Sequence, residues 1–348
     1  MKTISIGIDF SKKTFDVTIL HRQEDTFIEV GYSKFDNDEK GFKAFISWVK
    51  KSVRHIKGGA RRSQWIFCGE NTGICSADIS DWLAEAGYDM WLETALEIHM
   101  RSGISRTKND KADSKRIAEY ALRFYKDGIS LHEPDSKSYK ELKALYVAHD
   151  MLTRDKVTKI NQVKSGTLNH SKEALRIIRE QLEMINKQLR LIDQQMESLA
   201  KECEEFARNY EILTSFKGLG CITAVCLIVK THNFKYMNDP RKLGNYMGIV
   251  PSQKKQSGTS VDTPARVSRY RDAKSNSTIS QCANISIRFN PVIKAYYERL
   301  LTRGLHPNKA KNNVKFKIIN IVMVMIRTDA VFDINKYGKA AKEWGKAV

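Results

Sequence analysis

The chain has 348 residues, with 59 Lys and Arg against 40 Asp and Glu, a formal net charge of +19. This length predicts two or three domains rather than one core, and the positive excess argues against a small-molecule enzyme and for a polyanionic partner, nucleic acid before all others. No run approaches the roughly 18 apolar residues of a membrane span, no secretory signal opens the sequence and the six cysteines include no CxxC pair, so the expectation is a soluble cytoplasmic protein with reduced, buried cysteines and no membrane partner.

Three regions follow in chain order. In residues 1–130 strand and helix patterns alternate: Ile4, Ile6 and Ile8 have period two, as do Phe15, Val17 and Ile19, and Trp65 to Cys68 is a short apolar run, whereas Phe42 to Val53, Ile79 to Ala86 and Ala112 to Phe124 have helical spacing. This predicts an α/β domain. In residues 136–209 glycine is nearly absent, and Leu175, Ile178, Leu182, Ile185, Leu189, Ile192, Met196, Leu199, Cys203 and Phe206 recur at alternating steps of three and four. Such a seam predicts a helical coiled-coil region, used for pairing between chains or as a long core helix. Residues 210–348 read as mainly α, interrupted by a Gly, Ser and Lys-rich stretch from Gly248 to Asn276.

The chemistry starts with acids. Asp9 ends the strand Ile6-Gly7-Ile8, with Gly7 leaving room for a second backbone or a ligand. Glu70 ends the strand Trp65 to Gly69 and precedes a turn at Thr72-Gly73. Asp110 and Asp113, three apart, share one face at the start of the helix through Ile117 and Ala121, where acids also serve as ordinary N-terminal residues. Four carboxylates brought together repel one another unless a cation joins them, and hard oxygen donors of this kind select Mg²⁺, which phosphodiester chemistry uses in pairs.

The order strand-Asp, strand-Glu, helix Asp-x-x-Asp resembles the DEDD, RuvC-like transposases related to the pilin-gene inverting protein Piv, some of which are guided by a bridge RNA. The residues carrying the resemblance are Ile6-Gly7-Ile8-Asp9, Glu70-Asn71-Thr72-Gly73 and Arg106-Thr107-Lys108-Asn109-Asp110-Lys111-Ala112-Asp113. It continues through Lys217-Gly218-Leu219-Gly220, which resembles a helix-hairpin-helix turn presenting backbone N–H groups to phosphate, and through Leu243 to Pro251, ahead of Ser257-Gly258. The resemblance implies an RNase H-like N-terminal domain, a C-terminal transposase domain, an Mg²⁺ site built from Asp9, Glu70, Asp110 and Asp113, and Ser257 as a nucleophile joined covalently to DNA. It also implies a homo-oligomer, dimer or tetramer, and for the guided branch a structured RNA. The chain departs from the pattern in two places. Ser257 stands one position further from Pro251 than expected, which keeps Ser252 and Ser260 open, and Ser268-Arg269-Tyr270-Arg271-Asp272 replaces the usual Ser-Lys-x-Gly.

Basic residues fit a nucleic-acid path. Arg106, Lys108 and Lys217 flank the acids and the hairpin, Lys254, Lys255, Arg266, Arg269, Arg271 and Lys274 crowd the serine-bearing stretch, and Arg299 to Lys317 is a second basic run without acids. Phosphate contacts of this sort position a duplex without reading it. Tyr296, Tyr297 and Phe316 lie at helical spacing and read as core. The competing functions are a RuvC-like nuclease or junction resolvase that activates water, a nucleic-acid binder without chemistry, and an actin-like sugar kinase, against which stand the charge and the lack of a later Asp-x-Gly-Thr turn.

Overall fold

Alternation of isoleucine with small residues builds the first of two compact units, Met1–Asp135 and Ser136–Val348. The computed structural model describes residues 2–56, 58, 59, 61–102, 109–251, 255–257, 261–263, 267–335 and 337. In β1 (Ile4–Phe10) the side chains of Ile4, Ile6 and Ile8 are fully buried with α1 (Glu39–Val53) and α2 (Ile74–Glu85) on one sheet face. The opposite face carries Ser5 and Gly7, and their small size admits α4 (Asp110–Phe124) at backbone contact. A Cβ on Gly7 would stand 2.2 Å from the Ser114 carbonyl oxygen and 2.4 Å from the Ala118 nitrogen. A buried 2.8 Å hydrogen bond between the Thr18 and Ser114 hydroxyls ties the same face to α4.

β2 (Thr14–Gln23) returns antiparallel to β1 through the polar turn at Ser11, and β3 (Thr26–Asp36) extends the meander. β4 (Trp65–Glu70) and β5 (Met90–Glu93) run parallel on the other side of β1, giving the order β3-β2-β1-β4-β5. Three antiparallel strands extended by two parallel ones, with helices on both faces, are the RNase H-like arrangement expected from the sequence. α3 (Ala95–Ser102) precedes α4 and completes the unit.

The second unit is helical. α5 (Lys137–Lys164) and α6 (Lys172–Glu202) fold back on one another, and the glycine-poor region spends Gly166, at φ +77°, on the connection between them. The apolar seam of α6 therefore has a partner helix within its own chain, the second of the two uses its period allows. A connection this short makes consecutive long helices antiparallel neighbours. The seam also stops earlier than its spacing suggests: Cys203, in extended conformation, ends α6 and opens α7 (Glu204–Ser215).

α8 (Cys221–Thr231) is the hub. Thr223 to Val229 are all buried, and α5, α6, α7 and α10 (Ala273–Phe289) pack around it. The turn from α7 to α8 requires glycine at 218, where φ is +112° and a Cβ would meet the Ser286 hydroxyl at 2.2 Å. Beyond α8 come α9 (Pro240–Tyr246), a hairpin of β6 (Lys255–Ser257) and β7 (Val261–Thr263), then α10, α11 (Pro291–Thr302) and α12 (Pro307–Arg327). The Gly, Ser and Lys-rich stretch is shorter than its composition suggests, because Asp272 caps α10 four residues before Asn276. None of the described helices is long and apolar enough to cross a membrane.

Candidate active site

Sheet register gathers the acids of the first unit. Asp9 lies across from Asp16 in the β1–β2 pairing, Gly7 is the neighbour of Cys68 in β4, and Glu70 in turn is the neighbour of Glu93 in β5. Side chains alternate between faces with period two, so Asp9, Asp16, Glu70 and Glu93 share the face on which Gly7 receives α4. Asp110 and Asp113 occupy the first turn of that helix. Asn109, not an aspartate, caps it, accepting from the Ala112 N–H at 2.7 Å, so neither acid is spent on capping.

The Asp9 carboxyl is pushed up to about 6, first by burial and then by the negative charges of Asp113, Asp110, Glu70 and Asp16. The other three acids singled out in the sequence thus all bear on Asp9, together with a fifth acid, Asp16, that sequence reasoning missed. Three of the five have cationic partners. Lys34 lies 3.1 Å from Asp16 and 3.7 Å from Asp110, and Arg116 donates to Asp113 at 2.6 Å. Asp16 also accepts a short hydrogen bond from the Tyr32 hydroxyl, which pushes that phenol up to about 12. Glu29 holds Lys111 and Lys115, each at 3.0 Å, and so fastens β3 to the start of α4; both lysines keep its carboxyl below the usual range.

The donors are hard oxygens under mutual repulsion, the chemistry that suits a divalent cation. Among the described residues no three or more His, Cys, Asp or Glu side chains stand together as a closed ligand set. Lys34 and Arg116 are the present partners of Asp110 and Asp113. The donors fit a divalent cation in chemical kind, but the described side chains do not stand together at ligand spacing. Arg106 and Lys108 lie outside the described residues.

In the second unit, Ser257 ends β6 opposite Val261, with Lys255 opposite Thr263. Ser252, Ser260, Lys254 and Arg266 lie outside the described residues. The segment carrying the hairpin is tied at its base. The Asp272 N–H donates to the Tyr246 carbonyl at 2.8 Å, the Tyr246 hydroxyl lies 3.2 Å from Asp272 Oδ2, and Lys230 Nζ reaches the same carboxylate at 2.7 Å. The Asn276 amide donates to the carbonyls of Met247 and Gly248, and that of Asn312 to Ile249. Gly248 has φ +67° and lies under the Arg271 side chain.

The basic residues divide. Arg269, Arg271, Lys217 and Gly220 are exposed, and Gly218 is fixed by its fit to Ser286. Lys274 pairs with Asp150 at 2.5 Å. In the second basic run Lys317 is half-buried beside Tyr296 and is lowered to about 8, by burial and then by Arg299. Tyr296, Tyr297 and Phe316 pack on the core as their spacing suggests.

A family model of the DEDD, IS110 type, described as Transposase, matches residues 6–170, and a second, described as Transposase IS116/IS110/IS902 family, matches residues 210–298. No curated protein matches the chain.

Proposed function

Because the chain belongs to the IS110-type transposase family, we propose that it cuts and rejoins DNA for an insertion sequence, with Asp9, Glu70, Asp110 and Asp113 holding Mg²⁺ and Ser257 as the nucleophile. The observation that carries this reading is the cluster at Asp9, where burial and four further carboxylates push one acid up to about 6 at the end of a central strand. Perturbed acids with named charge partners cluster at functional sites, which supports this reading.

Magnesium held by these acids would supply Lewis-acid stabilisation of charge developing on the phosphodiester oxygens. The chain's own residues do the rest. Ser257 Oγ bonds to phosphorus as the bond from phosphorus to the leaving deoxyribose oxygen breaks; the serine gives up its proton and the leaving alkoxide gains one. Attack of a deoxyribose hydroxyl on the phosphoserine reverses these changes and regenerates Ser257, so rejoining requires no ATP. Arg269 and Arg271 neutralise phosphates beside the serine, and Lys217 with the Gly218 to Gly220 turn holds the backbone further along, without reading sequence.

Target choice in this reading belongs to a structured guide RNA, held by its backbone while base pairing selects the DNA, and the working form is a homo-oligomer. RNA that co-purifies with the chain supports the first, and sedimentation as a dimer or tetramer the second.

The decisive experiment is incubation of the protein with its element's end DNA and Mg²⁺, followed by peptide mass spectrometry of the protein–DNA adduct. A phosphodiester on the peptide holding Ser257, lost in Ser257→Ala, supports the mechanism. Undiminished cleavage by Ser257→Ala with no adduct shows a nuclease that uses water.

A further inference from the structure

A cleft of about 450 Å³ opens in the second unit beside the base of the serine-bearing segment. Its volume is within the range of about 300–1,000 Å³ typical of ligand sites, and it is distinct from the acidic cluster. The floor is α8 and the residues around Asp272, and one wall is α5. Four cations line it, Lys143, Arg154, Lys230 and Lys274, against two carboxylates, Asp150 and Asp272. Both carboxylates are already satisfied: Asp150 by Arg154 and Lys274, each at 2.5 Å, and Asp272 by Lys230 at 2.7 Å and by the N–H groups that begin α10. The cleft is therefore left with a positive surplus.

The α5 wall has a pattern of its own. Lys143, Val147, Met151 and Arg154 follow one another at steps of four, four and three, which keeps them on one helix face. Val147 and Met151 are 44% and 59% exposed, unusual for apolar side chains between two cations. At 1.5 Å per residue the two cationic positions are about 16 Å apart, too far to share one small anion. Each strand of a B-form duplex carries one phosphate per ~3.4 Å of helix axis, and an extended single strand spaces them further apart, so a strand lying along α5 meets both cations with different phosphates. The apolar pair between them offers a surface for sugars and unstacked bases.

We infer that this cleft and the α5 face above it are a track for a single strand of nucleic acid, which the track delivers to the base of the β6–β7 hairpin. The track rests on the proposed function only for its destination. Tyr246 enters the serine-bearing segment and Asp272 leaves it, and both line the cleft, so a strand held there runs beside the segment that carries Ser257.

The test uses the full chain carrying Ser257→Ala, so that binding is read without chemistry, and fluorescein-labelled single strands of twenty thymidines or twenty uridines, followed by anisotropy at several salt concentrations. Lys143→Ala with Arg154→Ala removes the two rim cations while leaving Asp150 its partner Lys274. Lys172→Ala with Lys187→Ala, on exposed positions of α6, is the control of equal charge. Loss of two phosphate contacts predicts a decrease of about 1.4 in the slope of log affinity against log salt, with several-fold weaker binding and little change in the control. Met151→Ser is expected to weaken binding while leaving every cation and the net charge in place. The oligonucleotide with the larger cleft-dependent loss identifies the strand as DNA or RNA. Equal losses in cleft and control variants, or an unchanged salt slope, overturn the track. The adduct experiment on the protein with an intact cleft reports on Ser257 separately, so the two readings can fail independently.

Discussion

Asp9 and Asp16 face each other across the β1–β2 ladder, seven residues apart in sequence and on the same face of the sheet. Asp16 is buried and held by Lys34 and Tyr32, whereas Asp9 takes the repulsion of all its neighbours. One acid of the pair is compensated; the other is poised to gain from any added cation.

Asp9→Asn is expected to stabilise the metal-free protein above pH 6. An acid whose folded pKa is raised binds more protons folded than unfolded between about 4 and 6, so stability falls as pH rises through that window. Relief of the burial cost and of the repulsion should amount to about 1–2 kcal/mol at pH 8, after a discount for partial exposure, and be mostly gone at pH 4. Urea unfolding in EDTA at the two pH values measures it.

Lys34→Met leaves Asp16 with Tyr32 as its remaining partner and frees Asp110. Because Asp16 is only 3% exposed, removal of the ammonium is expected to lower stability measurably, and Lys34→Arg, which keeps the charge, to restore most of the loss. Urea unfolding at pH 7 reads this; wild-type stability in Lys34→Met, or an equal loss in Lys34→Arg, contradicts the ion-pair role.

Gly7→Ala drives a methyl group into the backbone of α4. Neither Ser114 O nor Ala118 N can move without the helix, so a loss of about 1–3 kcal/mol or more is expected, and with it displacement of Asp110 and Asp113. Wild-type stability in this variant contradicts the close approach of β1 and α4.

Much of the first unit was legible because a central strand announces itself. Ile4, Ile6 and Ile8 alternate without exception, and the four acids sit where strands end and a helix begins. β3 escaped notice because it is an edge strand whose Glu29, Ser33 and Lys34 dilute the apolar period, and β5 because four residues make no pattern. Asp16 reads as an ordinary strand residue until register places it opposite Asp9. The α6 seam was visible as a period, but a period names no partner; the turn at Gly166 supplies one in the same chain. The track along α5 draws on four separate segments, and only Lys274 among its cations stood out in the sequence.

Asp272→Ala removes the cap of α10, the partner of Lys230 and the acceptor of the Tyr246 hydroxyl in one step, while the backbone bond to Tyr246 stays. A lost cap costs about 0.5–2 kcal/mol and a half-buried ammonium left without its carboxylate adds to that, so a total of about 2–4 kcal/mol is expected in thermal or urea unfolding. Asp272→Asn keeps the cap and loses the charge, and should fall between the two. Equal stability of all three proteins contradicts the anchoring of the serine-bearing segment.

The claim on which the rest depends is that Asp9, Glu70, Asp110 and Asp113 hold divalent cations together. Titration of the full chain with Mn²⁺, followed by electron paramagnetic resonance of the free ion, tests it directly. The account predicts saturable binding at one or two ions per chain, reduced at least tenfold (about 1.4 kcal/mol) by each of Asp9→Asn, Glu70→Gln and Asp113→Asn, and competed by Mg²⁺. Binding that is absent in the wild-type protein, or that survives all three substitutions unchanged, contradicts it.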